Sequence, residues 1–163
     1  MEQPTRKSLR LGQYDYRQPG YYFVTVCTRN RQALFTPFVG AVQRARPPEY
    51  ACFLVKWLYE MENKFFGVEI DCCAVMPDHI HFILVMTPAH ADASLQEMMK
   101  WYKTQTTNAY IRQVRREMLL PYEKHIWQRS YYDHIIRNDR DLFEIRKYIA
   151  ENPLKWFLEA AAM

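Results

Sequence analysis

The chain reads as an α+β protein: an antiparallel sheet of the ferredoxin-like kind (β-α-β-β-α-β) with helices on one face, plus a C-terminal helix. Three observations predict this. Runs rich in β-branched and aromatic residues alternate with long stretches of helical periodicity. Two of those runs, VEIDCCAV and HIHFILVM, are separated by little more than Pro77-Asp78, a pair that favours tight reversal. A length of 163 residues, 49% hydrophobic and 25% charged, suits one domain around one core. Residues 1–163 are therefore expected to form a single unit, with a basic arm over about residues 1–20.

That arm carries Arg6, Lys7, Arg10 and Arg17 and leads through Pro19-Gly20 into YYFVTVCTR, residues 21–29, the first strand. A loop is expected from there to Pro47-Pro48. Over residues 49–66, Tyr50, Leu54, Trp57, Leu58, Met61 and Phe65 recur at helical spacing, with Glu60, Glu62 and Lys64 outside the stripe. Gly67 ends this helix, and the Pro77-Asp78 hairpin follows. Ser94-Leu-Gln-Glu97 has the capping-box pattern of a second helix. Its stripe is Leu95, Met98, Met99, Tyr102, Thr106 and Ala109, and Pro121 marks its end. HIWQRSYYDHII, residues 125–136, is a fourth strand. Asn138 or Asp139 then caps a final helix that runs through Glu151 and stops at Pro153.

A formal net charge of +4 permits an anionic partner without demanding one. Cys27, Cys52, Cys72 and Cys73 form no CxxC pair and read as small buried hydrophobes in a reducing compartment. The N-terminus lacks the apolar segment of a signal peptide, and no apolar run approaches the ~20 residues that span a bilayer. A cytoplasmic protein without membrane contact is expected.

The chemistry concentrates in MPDHIHFILVM, residues 76–86. Strand alternation puts His79 and His81 on one face with Ile83 and Val85, and Ile80, Phe82 and Leu84 on the other. Same-face imidazoles lie about 6.5–7 Å apart along a strand, close enough to tilt onto one divalent metal ion. The plainer alternative is a pair of partly buried histidines hydrogen-bonded to their neighbours. In the final helix, Leu142, Ile145 and Ile149 form a stripe that must dock on something. Tyr148 and Asn152, four residues apart, project beside it. If the stripe docks on the Ile83/Val85 face, a phenol and an amide oxygen hang beside the imidazoles.

These residues carry a family resemblance. The chain resembles the single-tyrosine HUH transposases of the IS200/IS605 type, and among them most resembles the REP-associated tyrosine transposases. The similarity lies in RKSLRLGQYDYRQPGYYFVTVCTRNRQALF, in VMPDHIHFIL and in WQRSYYDHIIRNDRDLFEIRKYIAENPLKW. Residues 35–49 follow the pattern less well, and nothing is carried over to them. The resemblance implies that His79-Ile80-His81 is the histidine–hydrophobic–histidine motif, that Tyr148 is the nucleophile and that Asn152 completes a site for Mg²⁺ or Mn²⁺. It implies cleavage of single-stranded DNA near a small hairpin, leaving the protein joined to the 5′ phosphate and a free 3′-OH. Relatives act as shared-site homodimers or, in the REP-associated group, as monomers.

The chemistry suits these residue types. A phenol of ordinary pKa near 10 costs about 4 kcal/mol to ionise at pH 7, so its proton must leave as the new bond forms. Glu144, one turn before Tyr148, is either an acceptor for that proton or a surface partner for Lys147. Exchange of a phosphodiester for a phosphotyrosine ester needs no nucleotide, in keeping with the lack of a GxxxxGK[ST] loop. Tyr131 and Tyr132 lack an Asn four residues on; one reads as core, the other as a base-stacking surface, and His134 as structural. Phosphate contacts are expected from Arg6, Lys7, Arg10, Arg29, Arg31, Lys103, Arg129 and Arg137, with Lys103 best placed beside Trp101 and Tyr102. Two other readings compete. A non-catalytic single-stranded nucleic-acid module would not need His79, His81, Tyr148 and Asn152 together. A two-histidine phosphoesterase needs a second motif copy, which this chain lacks.

Overall fold

The computed structural model describes residues 11–43, 52–90 and 92–163. The arm residues Arg6, Lys7 and Arg10, and the Pro47-Pro48 pair with the predicted helix start at residue 49, lie outside them. The elements are β1 (Gly20–Cys27), β2 (Gly40–Gln43), α1 (Phe53–Lys64), β3 (Val68–Met76), β4 (His79–Met86), α2 (Leu95–Arg115), β5 (Tyr132–Ile136) and α3 (Asp139–Ala162). The strands form one sheet in the order β2-β3-β4-β1-β5, every pairing antiparallel. Its inner part, β3-β4-β1-β5, is the ferredoxin-like arrangement the sequence predicts, and β2 extends it at one edge.

Alternation decides what each face holds. Tyr22, Val24 and Val26 of β1 and Ile80, Phe82 and Leu84 of β4 point to one side, where Leu54, Leu58 and Met61 of α1 and Met98, Met99 and Tyr102 of α2 cover them. The Tyr102 hydroxyl, fully buried, donates to the Leu54 carbonyl at 2.9 Å and ties the two helices together. The opposite side holds Cys72, Ala74, Ile83, Val85 and Ile136, closed over by Ile149, Leu142 and Ile145 of α3. α1 and α2 thus share one face, as the ferredoxin-like order predicts, and the added C-terminal helix takes the other. α3 covers the second face because that face is itself apolar and its stripe has nowhere else to bury.

Four boundaries differ from those predicted. β2 forms within the expected loop, a four-residue edge strand too short to carry a periodic signature. The predicted fourth strand is reduced to Tyr132–Ile136. Upstream, the Lys103 ammonium gathers the carbonyls of Gln128, Arg129 and Ser130 at 2.9, 3.2 and 3.2 Å, so this stretch bends around a cation rather than joining the ladder. α2 ends at Arg115, ahead of Pro121, with Glu117 in the left-handed region at φ 57°. α3 runs through Pro153 to Ala162. An internal proline forfeits one backbone bond, but its φ is helical, and Leu-Lys-Trp-Phe-Leu-Glu-Ala downstream favours continuation. Gly67 does close the α1 connection: at φ +76°, a Cβ there would lie 2.4 Å from the His90 backbone.

β3 carries a bulge between Ile70 and Cys72. It turns two successive side chains, Asp71 and Cys72, toward α3. Asp71 there meets Arg146 in a two-pronged ion pair.

Candidate active site

Pro77 and Asp78 reverse the chain so tightly that Met76 pairs with His79, and β4 therefore opens on the histidines. His79 lies opposite Cys27 of β1, and His81 opposite Thr25 of β1 and Ala74 of β3. Directly paired residues share a face, so both imidazoles lie on the α3 side, with ring centroids 5.2 Å apart.

α3 then brings the phenol. Burying Ile149 on the sheet leaves its neighbour Tyr148 at the margin of the contact, 49% exposed, with its ring 5.3 Å from that of His81. Phe23 braces both rings, 6.0 Å from His81 and 6.3 Å from Tyr148. Asn152 is partly buried on the same helix, one turn past Tyr148 and between the buried Ile149 and Pro153. The predicted docking of the α3 stripe on the Ile83/Val85 face is what the structure shows.

The two imidazoles differ sharply. His81 is 1% exposed, and its Nε2 is buried without a hydrogen-bond partner. Burial, with the neighbouring His79 second, pushes its pKa down to about 3, so it is neutral at pH 7 with a lone pair available. An orphaned buried nitrogen costs about 1–3 kcal/mol, and an imidazole lone pair of this kind suits a divalent cation. His79 is instead engaged: its Nδ1 lies 2.7 Å from Asp78 Oδ1. Arg31 Nε approaches the other Asp78 oxygen at 2.8 Å, and its Nη1 reaches the Cys27 sulfur at 2.7 Å. Among the described residues no three His, Cys, Asp or Glu side chains converge as a metal site.

The basic residues divide. Arg29 and Arg129 belong to segments stitched to the histidine end of β1: Arg29 N donates to Ile126 O at 2.7 Å and Gln128 N to Cys27 O at 2.9 Å. Arg129 also lines a groove of about 290 Å³ with Gln96, Lys100 and Thr104 of α2. The three N–H donors of Lys103 are matched by three loop carbonyls. Arg31 is engaged with Asp78 and Cys27. Arg137 follows Ile136, which pairs with Tyr21, at the far end of β1 from the Cys27–His79 pair and so about 20 Å away along the strand. Lys147 is 4.0 Å from Glu151 rather than paired with Glu144, which is exposed. Tyr131 is buried and Tyr132 is 48% exposed; His134 bonds Asp141 of α3 at 2.8 Å.

Sequence reasoning missed Phe23 and the roles of Asp78, Lys100 and the Asp71–Arg146 pair. For Asp78 a signal was there: an acid directly preceding the first histidine. Phe23 had none, since its place depends on register.

The family model described as Transposase IS200 like matches residues 18–152, from the lead into β1 to Asn152. This chain belongs to the IS200-like transposase family. The match takes in all five strands and the part of α3 that bears Tyr148 and Asn152. A Haemophilus influenzae protein described as uncharacterized is 30% identical over 93% of this chain and 89% of its own length. Another from the same organism, named "Putative REP-associated tyrosine transposase", is 28% identical over 86% of this chain and 74% of its own length. Among solved structures, a REP-associated tyrosine transposase bound to a REP hairpin superposes with a TM-score of 0.63 at 26% identity. That match covers 90% of this chain and 73% of that one. This IS200-like transposase most resembles the REP-associated group, and none of its described helices is long and apolar enough to cross a membrane.

Proposed function

We propose that this protein cleaves and rejoins single-stranded DNA beside hairpin-containing repeats, with Tyr148 as nucleophile, in the cytoplasm. The observation that carries the reading is the packing of a half-exposed phenol against His81, whose buried Nε2 has no partner. The hairpin bound by the related transposase supports the substrate class.

In the proposed step the Tyr148 oxygen attacks the scissile phosphorus in line, forming an O–P bond while the bond to the 3′ oxygen breaks. The 5′ phosphate remains on the tyrosine, and the 3′ oxygen departs as a hydroxyl once protonated. Tyr148 is exposed enough to pass its own proton to solvent. A Mg²⁺ or Mn²⁺ ion bound by His79, His81 and Asn152 would polarise the phosphoryl oxygen and stabilise the leaving oxygen. Phe23 fixes the relative tilt of Tyr148 and His81. Attack by a 3′-OH on the phosphotyrosine reverses the step and transfers the strand without an energy source.

The test is a labelled single-stranded hairpin oligonucleotide incubated with Mn²⁺ or Mg²⁺, comparing wild type with Tyr148→Phe on a denaturing protein gel. A metal-dependent 5′-phosphate adduct absent from the variant is expected. An adduct that persists in Tyr148→Phe would move the nucleophile to Tyr131 or Tyr132. Tight hairpin binding without cleavage under either metal would replace the enzyme by a binding module.

A further inference from the structure

The geometry points to Asp78 and Arg31 as positioning residues that fix which nitrogen of His79 faces the reaction. The inference rests on the proposed metal reading for its functional meaning, but its structural content stands on three contacts. Asp78 occupies the second turn position, held there because Thr28 N donates to its carbonyl at 2.9 Å and the Thr28 hydroxyl lies 3.1 Å from the same oxygen. One carboxylate oxygen takes His79 Nδ1 at 2.7 Å; the other takes Arg31 Nε at 2.8 Å. A carboxylate accepts only, so Nδ1 must carry the proton, and a neutral imidazole then has its lone pair on Nε2. Arg31 is itself held by the Cys27 sulfur at 2.7 Å and stands at φ 55°, a left-handed conformation that brings its side chain back over the turn.

The chain is thus Cys27–Arg31–Asp78–His79, running from the end of β1 across the hairpin turn into the candidate site. It resolves an asymmetry. His81 is 1% exposed and carries an Nε2 with no hydrogen-bond partner. His79 is 15% exposed, and without a fixed acceptor its tautomers would exchange. Asp78 removes that freedom, so both histidines can offer a lone pair at once. Arg31, whose side chain is half exposed, therefore serves His79 through Asp78, rather than standing by as a free phosphate contact.

The test is long-range ¹H–¹⁵N correlation of the histidine rings in the full, metal-free chain at neutral pH, followed by Mn²⁺ titration. Wild type is expected to show His79 protonated at Nδ1 with a bare Nε2. Asp78→Asn and, to a lesser degree, Arg31→Ala should mix the tautomers and weaken Mn²⁺ binding, by on the order of 10–100-fold for Asp78→Asn. Arg31→Ala keeps the experiment decisive if Asp78→Asn misfolds, because Arg31 is at the surface. Unchanged ring shifts and unchanged Mn²⁺ affinity in both variants would overturn the inference. A wild type that binds no Mn²⁺, yet loses its tautomer in Asp78→Asn, would remove the metal reading and leave the orienting role standing.

Discussion

Arg146 of α3 grips Asp71 of β3 through two parallel hydrogen bonds, Nε to Oδ2 at 2.8 Å and Nη2 to Oδ1 at 2.7 Å. The acid is 6% exposed and the guanidinium 46%, so the pair spans the seam between sheet and helix. It lies two residues before Tyr148 and makes the bulge in β3 part of the machinery that sets the nucleophile helix. Replacing Arg146 by Met strands a buried carboxylate, whereas Asp71→Asn leaves a neutral group. The first should cost about 3 kcal/mol, low in the range for broken buried pairs because Arg146 is half exposed, and the second about 1–2 kcal/mol. Urea-unfolding midpoints measure the difference. Equal losses would mean that the pair does not anchor α3.

Tyr59 is packed beside the main core with its hydroxyl buried and unpartnered, and burial pushes its pKa up to about 12. Tyr59→Phe should therefore be neutral or stabilising by up to about 1 kcal/mol at pH 7. The pH dependence has a definite sign. The unfolded phenol ionises near pH 10 and the folded one near 12, so this contribution is present below pH 10 and lost as pH rises between the two. Alkaline melting curves of wild type and Tyr59→Phe should diverge over that interval, wild type losing stability that the variant keeps. Parallel curves would sink the assignment.

α3 starts on a side-chain cap, Asn138 Oδ1 accepting from Asp141 N at 2.8 Å, and Asp141 in turn holds His134 at 2.8 Å. Asn138→Ala should cost about 1 kcal/mol. Because the capped turn is separated from Tyr148 by the Asp71–Arg146 clasp, adduct formation at saturating hairpin should fall less than twofold. A tenfold fall would show that the helix start, and not the clasp, positions the phenol.

For DNA, the geometry separates the cations. Arg129→Ala, at the groove beside Lys100, should weaken hairpin binding and flatten its dependence on salt by about one unit of slope. Arg137→Ala, at the far end of the sheet, should leave both unchanged. Lys103→Met should lower thermal stability, because three loop carbonyls lose their donor. Salt-dependent binding titrations and melting curves decide. A flattened slope in Arg137→Ala would place the DNA across the other end.

Much of this was legible from local chemistry. The alternation in HIHFILVM assigns His79 and His81 to one face, and the structure keeps them there because register follows a two-residue turn. The Ser94–Glu97 box, with both reciprocal bonds formed, and the stripe from Leu95 to Ala109 are likewise written in adjacent residues. Pro153 misled for a local reason too, since one lost backbone bond did not outweigh a favourable helical continuation.

Periods of 2 and 3.6 act between near neighbours, so the residues alone reveal every helix, every strand but β2 in place if not in length, and which side chains share a face. The folded chain alone brings Tyr148 against His81 with Phe23 beside both, joins Asp71 to Arg146, and gives Lys103 to loop carbonyls. Those contacts depend on strand order, on a bulge and on the path of α3 across the second face. They are fixed by burying apolar surface across the whole chain, a sum that no short window of sequence contains.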